Sequence, residues 1–531
     1  MMKLPTDKTK TLVAVHGWSA VVLGLLLYAV VFTGTIAVLA HEIGHWYIGK
    51  RGTAPIFAQP VDANVRKAVA SVDEKYRDEV SVFSSPLGNL LVWAHTHEKR
   101  DGGAMEDIGV LMEIEQKTGK EIARREGWAV DVFKEPARAL ERFLVDVHVR
   151  LYLPNPWGLL LTGVLGLAMM VAAVSGLIMH RHIFRDVFTL RRNKEKLAGA
   201  RDEHTVASTW GLPFAFLLAF TGCFFSFAGS IGIPMLAMVA FGGDQQKMIE
   251  TVIGVPRTED KRSAEMANLD VILKDARERT KSSVESASIE HYGRIDANLT
   301  VALKAPDGTL ASTILVYDGA SGDFMTRKPQ VGLTPSFGSM LLSIIGPLHF
   351  GNFAGIASKA VWVALGLSSC FMIATGFSLW LQRREASRGW ERFGRIVWVV
   401  IYGLPLALAA SAYGFFFSYP ADNSVQITPL SFLAGAGAAV LVPLYVRDAV
   451  KVRVVLMALT AAAIFALPIM RVAAGGISWP EAISAGAADT MTIDFSLCLA
   501  GLICAWFAYT WHRQGVGATR GLEPAGTGRS R

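Results

Sequence analysis

Residues 16–35 read HGWSAVVLGLLLYAVVFTGT and residues 204–223 read HTVASTWGLPFAFLLAFTGC, two apolar runs that each open on a histidine and reach Thr-Gly, the glycine 18 positions on. A backbone in hydrocarbon has no water to bond, so runs of this length close their hydrogen bonds internally as spanning helices. Working outward from these two, the same reading places eight spans at 13–40, 156–180, 206–233, 353–381, 396–417, 429–446, 454–474 and 493–511. Composition agrees: 52% of the 531 residues are hydrophobic and 18% charged, and the mean hydropathy is +0.36, too apolar for a soluble enzyme. The first run is longer than the apolar core of a cleavable signal and ends in Ala40-His41-Glu42 rather than at a small-residue cleavage site, so it reads as an anchor.

Lysine and arginine collect at alternate span ends. Lys3, Lys8 and Lys10 precede the first span, Arg181 to Arg201 join the second to the third, and Arg383 to Arg395 join the fourth to the fifth. Arg447, Lys451, Arg453 and the Arg513 to Arg531 tail continue the alternation, which predicts a bacterial inner-membrane protein with both termini cytoplasmic. The net charge of +7 is then a topology signal; the basic residues flank spans and form no single face for nucleic acid. The cysteines, Cys223, Cys370, Cys498 and Cys504, all fall inside spans, against both a disulfide framework and a cysteine-ligated metal.

The His-to-Gly offset is one sign of an internal duplication. His148, ahead of the second span, lies 28 residues before Gly176, and His349, ahead of the fourth, lies 27 before Gly376. The intervening segments correspond too. Residues 61–76 and 268–283 each read as an amphipathic helix followed by alternating strands, with turns at Thr118-Gly119-Lys120 in the first copy and at Asp307-Gly308 and Asp318 to Gly322 in the second. The expected fold is a predominantly α, polytopic membrane helical bundle of about eight spans, with a duplicated 2+2 helix core and two small α+β modules outside the membrane. Its segments are span one (1–45), a first module (46–150), span two (151–182), a basic cytoplasmic loop (183–205), span three (206–233), a second module (234–348), span four (349–382), four additional spans (396–511) and a cytoplasmic tail (512–531).

Ionisable residues in a membrane are expensive and point to function. His16 and His204 sit near the cytoplasmic face and His148 and His349 near the outer face, so pseudo-symmetry pairs His16 with His204 and His148 with His349. Two imidazoles facing each other across a bundle suit a six-coordinate haem iron, and Gly34, Gly176, Gly222 and Gly376 leave room for close approach. Taken alone, each histidine also reads as an interfacial residue bonding a backbone carbonyl; four at repeat-related positions favour ligands.

One motif competes. His41-Glu42-Ile43-Gly44-His45 matches HExxH, the two-histidine zinc signature with glutamate as general base. It is similar to the site of site-2-type intramembrane proteases, but those need an aspartate ligand from a later span, and the Asp-Gly pairs here, at 101–102, 307–308 and 318–319, lie in the outer modules. His41 and His45 are therefore taken as supporting or alternative ligands at the outer haem. His180, His182 and His512 read as residues of the cytoplasmic edge, and His95, His97 and His291 as surface residues of the modules.

Several stretches together resemble a known family: His16-Gly17-Trp18 through Thr33-Gly34 and Glu42, Asp146 to Leu151, His204 to Trp210, and Pro347 to Gly351 through Gly376, Trp380, Arg383 and Arg384. They look like the PepSY-associated transmembrane proteins, and Val316-Tyr317-Asp318 to Gly322 looks like part of a PepSY domain. The resemblance covers about residues 10–390. It implies a di-haem inner-membrane reductase, with two b-type haems on His16, His148, His204 and His349 and a ferric siderophore or other ferric chelate as periplasmic acceptor. No GxGxxG fingerprint follows a cytoplasmic strand, so the electrons come from a membrane quinol or a separate cytoplasmic reductase. A rival class is a non-enzymatic anchor or transporter whose PepSY modules bind a peptide or peptidase.

Overall fold

The computed structural model describes residues 5–49, 56–85, 88–100, 105–179, 188, 196–252, 254, 257–305, 309–310, 312–384 and 387–520. Lys3, His180, His182, nearly all of the basic stretch 181–195, the pairs Asp101-Gly102 and Asp307-Gly308, and the chain beyond 520 lie outside them. Among the described residues, eight helices are long and apolar enough to cross a membrane, which makes this a multi-pass membrane protein.

The first four spanning helices are α1 (Thr6–Ala37), α5 (Trp157–Met179), α6 (Lys196–Phe227) and α10 (Gly355–Gln382). They pack as a closed ring in the order α1, α5, α6, α10 and back to α1. α6 runs past the expected end at 233, through a π-helical turn at Ala228–Gly232 into α7 (Ile233–Phe241). Two short helices stand apart from the spans that follow them: α4 (Ala139–Arg150) and α9 (Phe337–Phe350). Each ends on a left-handed residue, Leu151 or Gly351, before the spanning helix begins. His148 and His349 therefore ride on these preceding helices rather than on the spans themselves.

Between α1 and α4, and again between α7 and α9, the chain builds α+β structure. Strands β1 (Glu79–Ser84), β2 (Leu90–Lys99), β3 (Met105–Glu115) and β4 (Lys120–Trp128) come from the first stretch. β5 (Val284–Glu290), β6 (Asn298–Leu303), β7 (Thr313–Asp318) and β8 (Phe324–Lys328) come from the second. The two stretches are not separate sheets. β1 pairs antiparallel with β5, giving one eight-stranded sheet in the order β4-β3-β2-β1-β5-β6-β7-β8. Alternation buries Val80, Val82, Val92 and Ala94 with Leu299 and Val301 in a single core beneath α3 (Asp62–Ala70) and α8 (Leu269–Thr280). The two helices also hold each other's starts: the Asp62 carboxylate accepts from the Leu269 amide, and the Asp270 carboxylate from the Val61 amide. Edges that would invite foreign strands are thus spent on each other.

The opposite face of the first half carries a charge relay. His97 donates from Nδ1 to Asp107 and from Nε2 to Glu79, both at 2.8 Å, and His95, buried and stacked on Trp93, lies 3.3 Å from the other Glu79 oxygen. These were expected as surface residues, but strand alternation puts His95 and His97 on the Trp93 side, beside the carboxylates of β1 and β3. Asp107 and Glu79 together hold the His97 imidazolium up to about 10. Burial pushes the Glu79 carboxyl up, but bonds from His95 and His97 outweigh it and bring it down to about 2. A folded-state pKa above the unfolded value of about 6.5 means the His97 contribution is complete below that value and is lost as pH rises through about 10. His97→Gln should therefore lower stability by about 1.5–3 kcal/mol at pH 6 and by much less at pH 10.5. Chemical denaturation of the detergent-solubilised chain across that range checks it, and an equal loss at both ends would refute it.

The remaining spanning helices, α11 (Arg388–Ser418), α12 (Ser424–Tyr445), α13 (Ala449–Ala473) and, after the short α14 (Trp479–Ser484), α15 (Ala488–Arg520), form a second bundle that meets the ring through α1 and α10. Its polar content, which the sequence left without a role, is concentrated where the HEIGH segment docks. That segment is its own short helix, α2 (Ala40–Trp46). Asp494 accepts from Trp46 Nε1 at 2.6 Å, Trp479 Nε1 at 2.8 Å and the fully buried Arg471 at 2.8 Å. The Tyr47 carbonyl accepts from the Ile477 amide. Arg471→Met leaves a buried carboxylate short of its cation and should cost about 3–5 kcal/mol, whereas Arg471→Met with Asp494→Asn, which removes the charge but keeps an acceptor for the indoles, should recover part of it. Thermal unfolding in detergent distinguishes the two; a double variant no better than the single would contradict the assignment.

Candidate functional site

Four histidines line the axis of the α1–α5–α6–α10 ring in two facing pairs. The ring centroids of His16 and His204 are 6.3 Å apart, with planes at 70°. Those of His148 and His349 are 6.2 Å apart, with planes at 24°. The pairs anticipated from the offsets are the pairs the fold brings together. His16 precedes Gly34, against which His148 packs, by 18 residues of one helix, roughly 27 Å along its axis.

Each glycine of the sequence pattern faces a histidine of another helix. A Cβ on Gly176 would lie 3.5 Å from His16 Cε1, on Gly376 3.3 Å from His204, on Gly222 3.3 Å from His349, and on Gly34 only 2.5 Å from His148. The residue before each glycine is hydroxylic, and three of these hydroxyls reach the facing imidazole. His16 Nδ1 lies 3.0 Å from the Ala172 carbonyl and 3.2 Å from Ser175 Oγ; His204 Nδ1 lies 3.1 Å from the Met372 carbonyl and 3.2 Å from Thr375 Oγ1. His148 Nδ1 lies 2.9 Å from the Val30 carbonyl. A carbonyl only accepts, so in these three rings Nδ1 carries the hydrogen. His349 Nδ1 meets Thr221 Oγ1 at 2.8 Å, and because that hydroxyl gives its own hydrogen to the Leu217 carbonyl, it accepts from His349. With Nδ1 carrying the hydrogen, Nε2 is the nitrogen that bears the lone pair in each ring. A backbone bond and a ligand role are thus compatible, since they use different nitrogens of one ring.

The His16–His204 pair opens onto a cavity of about 640 Å³ enclosed by all four ring helices. Its walls are apolar, with Leu23, Leu27, Met169, Ala215 and Phe377 among them, and Arg201, Arg383 and Trp380 also line it. Volume and lining are those of a site for a mostly apolar ligand with a few polar anchors.

His41 and His45 join neither pair. Their rings pack on each other at 4.5 Å, His45 Nδ1 lies 3.0 Å from Asp489 of α15, and Glu42 pairs with Lys359 at 2.5 Å. Among the described residues neither ring touches His148 or His349, and no three His, Cys, Asp or Glu side chains are grouped to hold a metal ion. α2 turns away from α1 at Val38-Leu39 and faces the second bundle, which accounts for its placement. Sequence reasoning missed Asp489 and Asp494 as partners of this segment because 444 and 448 positions separate them from His45 and Trp46.

A multi-pass helical membrane protein with two facing histidine pairs is the class this geometry defines. The chain belongs to the PepSY-associated TM region family, whose pattern it matches over residues 13–383. It is also 26% identical over 255 residues to an uncharacterised protein of Pseudomonas aeruginosa, a match covering 46% of this chain and 64% of that one, so the chain aligns with somewhat under two thirds of that relative. The family match ends at the last turn of α10; the second bundle lies beyond it.

Proposed function

We propose that the chain binds two b-type haems, one on His16 and His204 and one on His148 and His349, and conducts electrons across a bacterial inner membrane to a ferric chelate. One observation carries this reading: two histidine pairs at nearly equal separation, with the Nδ1 of each ring held by a carbonyl or hydroxyl of another helix. With ring centroids 6.3 and 6.2 Å apart, each pair would have room for one metal held between two imidazole nitrogens at about 2 Å each. The 640 Å³ cavity beside one pair supports the same fit.

The bound haems would supply one-electron chemistry, and the protein's part is placement. The Ala172, Met372 and Val30 carbonyls and the Thr221 hydroxyl set each imidazole's tautomer and tilt, as the groups bonded to the far nitrogen of a metal-bound histidine do. Basic residues flanking alternate span ends favour the cytoplasmic side for the termini and the His16–His204 pair, where a quinol or a separate reductase would be the donor. The duplicated core and its two PepSY-like modules then face the periplasm, and their shared sheet, above His148 and His349, is where a ferric siderophore or another ferric chelate would be held. Reduction weakens iron's hold on hard oxygen ligands, which releases it.

The direct test is a visible spectrum and pyridine haemochrome assay of the purified chain. Soret and α bands at about two haems per chain are expected; a colourless protein refutes the proposal and favours the peptide-binding class. Gly34→Ala adds a finer prediction. Its methyl would meet His148 far inside contact distance, whereas Gly176→Ala meets His16 at ordinary contact. Gly34→Ala should lose most of the second haem and Gly176→Ala should keep both; equal haem content in the two variants would count against the placement.

A further inference from the structure

The cavity beside His16 and His204 is polarised along the bundle. Its deep walls are apolar, but the two arginines in its lining, Arg201 and Arg383, lie on the terminal side of the histidines. Arg201 lies one turn before His204 on α6, and Arg383 caps α10 two turns after Gly376, so both project toward the same end. Among the described residues neither guanidinium pairs with a carboxylate, whereas the neighbouring Arg384 is occupied, its guanidinium carbon 3.5 Å from the centre of the Trp380 ring. A second observation points the same way: Trp380 lines the cavity, and its indole N–H is buried without a hydrogen-bond acceptor. A buried donor left unmet is uncommon and marks a place where an acceptor belongs. Two unpaired guanidiniums and an unmet N–H at the rim of an apolar slot suit a flat apolar ligand with anionic oxygens on one edge.

We propose that Arg201, Arg383 and the Trp380 indole form a carboxylate-binding rim that seats the two propionates of the haem held by His16 and His204. This rests on the haem reading above and adds an orientation: the propionate edge faces the cytoplasmic donor, and the apolar edge points into the bilayer. Arg201 and Arg383 would also lock the ligand against rotation about the axis joining the two imidazoles, which the histidines alone permit.

The test separates the rim from the haem reading. In the His349→Ala background, where only the His16–His204 pair remains complete, haem-depleted chain in detergent is titrated with haem and with haem dimethyl ester, followed by the Soret band. Haem should bind at least about tenfold tighter than its ester, the worth of one charge-assisted contact. Arg201→Gln with Arg383→Gln should bring the two ligands to within about threefold while leaving ester affinity unchanged, which shows the slot still folded. Arg201→Lys with Arg383→Lys should restore part of the preference. Equal affinity for haem and ester in the starting chain overturns the rim, as does a preference that survives the double Gln exchange. Failure of the chain to bind either porphyrin overturns the haem reading and the rim with it.

Discussion

If the proposed haem is held between His16 and His204, His16→Ala and His204→Ala should each reduce haem to about one per chain and remove the same redox component, since each would take away one of its two ligands. The two residues lie 188 positions apart and on different helices, α1 and α6, yet their rings stand 6.3 Å from each other. Each is oriented by a third helix: His16 by the Ala172 carbonyl and Ser175 of α5, His204 by the Met372 carbonyl and Thr375 of α10. Losing either imidazole would leave the other oriented but the proposed haem short of a ligand, so the two variants should be near copies in haem content and in redox titration. Removing both should add little to either single change, since residues that act as a unit are not additive. If the single variants lose different components, the pairing is wrong.

His349→Ala should keep the haem of His16 and His204 while abolishing reduction of a chelate on the far side of the membrane. Roughly 27 Å of α1 separates the two pairs, so one haem near one face does not serve both surfaces. Oriented proteoliposomes with reductant trapped on the terminal side and ferric chelate outside provide the measurement. At least a tenfold fall in rate is expected, with the inner haem still reducible. A correctly folded His349→Ala chain that reduces the outer chelate at the starting rate would sink the relay. Because His349 is held by the Thr221 hydroxyl where the other three histidines use a carbonyl, Thr221→Val offers a milder probe of the same site.

The apolar runs and their number were legible in the chain itself. A spanning helix is a local object: its hydrogen bonds close within one segment, so length and hydropathy decide it wherever the rest of the chain goes. The fixed offset of 18 from His16 to Gly34 and from His204 to Gly222 was equally legible, because a straight helix converts sequence distance directly into depth. Depth and repeat position together paired the histidines that the structure sets near each other.

What the tertiary structure decided was every relation that no period encodes. Which nitrogen of each imidazole is free depends on carbonyls of other helices; nothing in the residues around His16 names Ala172. Two modules became one sheet because β1 and β5 are edge strands of matching register, and an unpaired edge is satisfied by whichever partner folding brings near. His95 and His97, written as surface residues, are buried or bridged because cross-strand neighbours, not chain neighbours, set a strand residue's environment. The HEIGH segment shows the limit most plainly. Its spacing fits a zinc helix, yet its partners Asp489 and Asp494 come from α15, and a motif's chemistry belongs to whatever the fold sets opposite it.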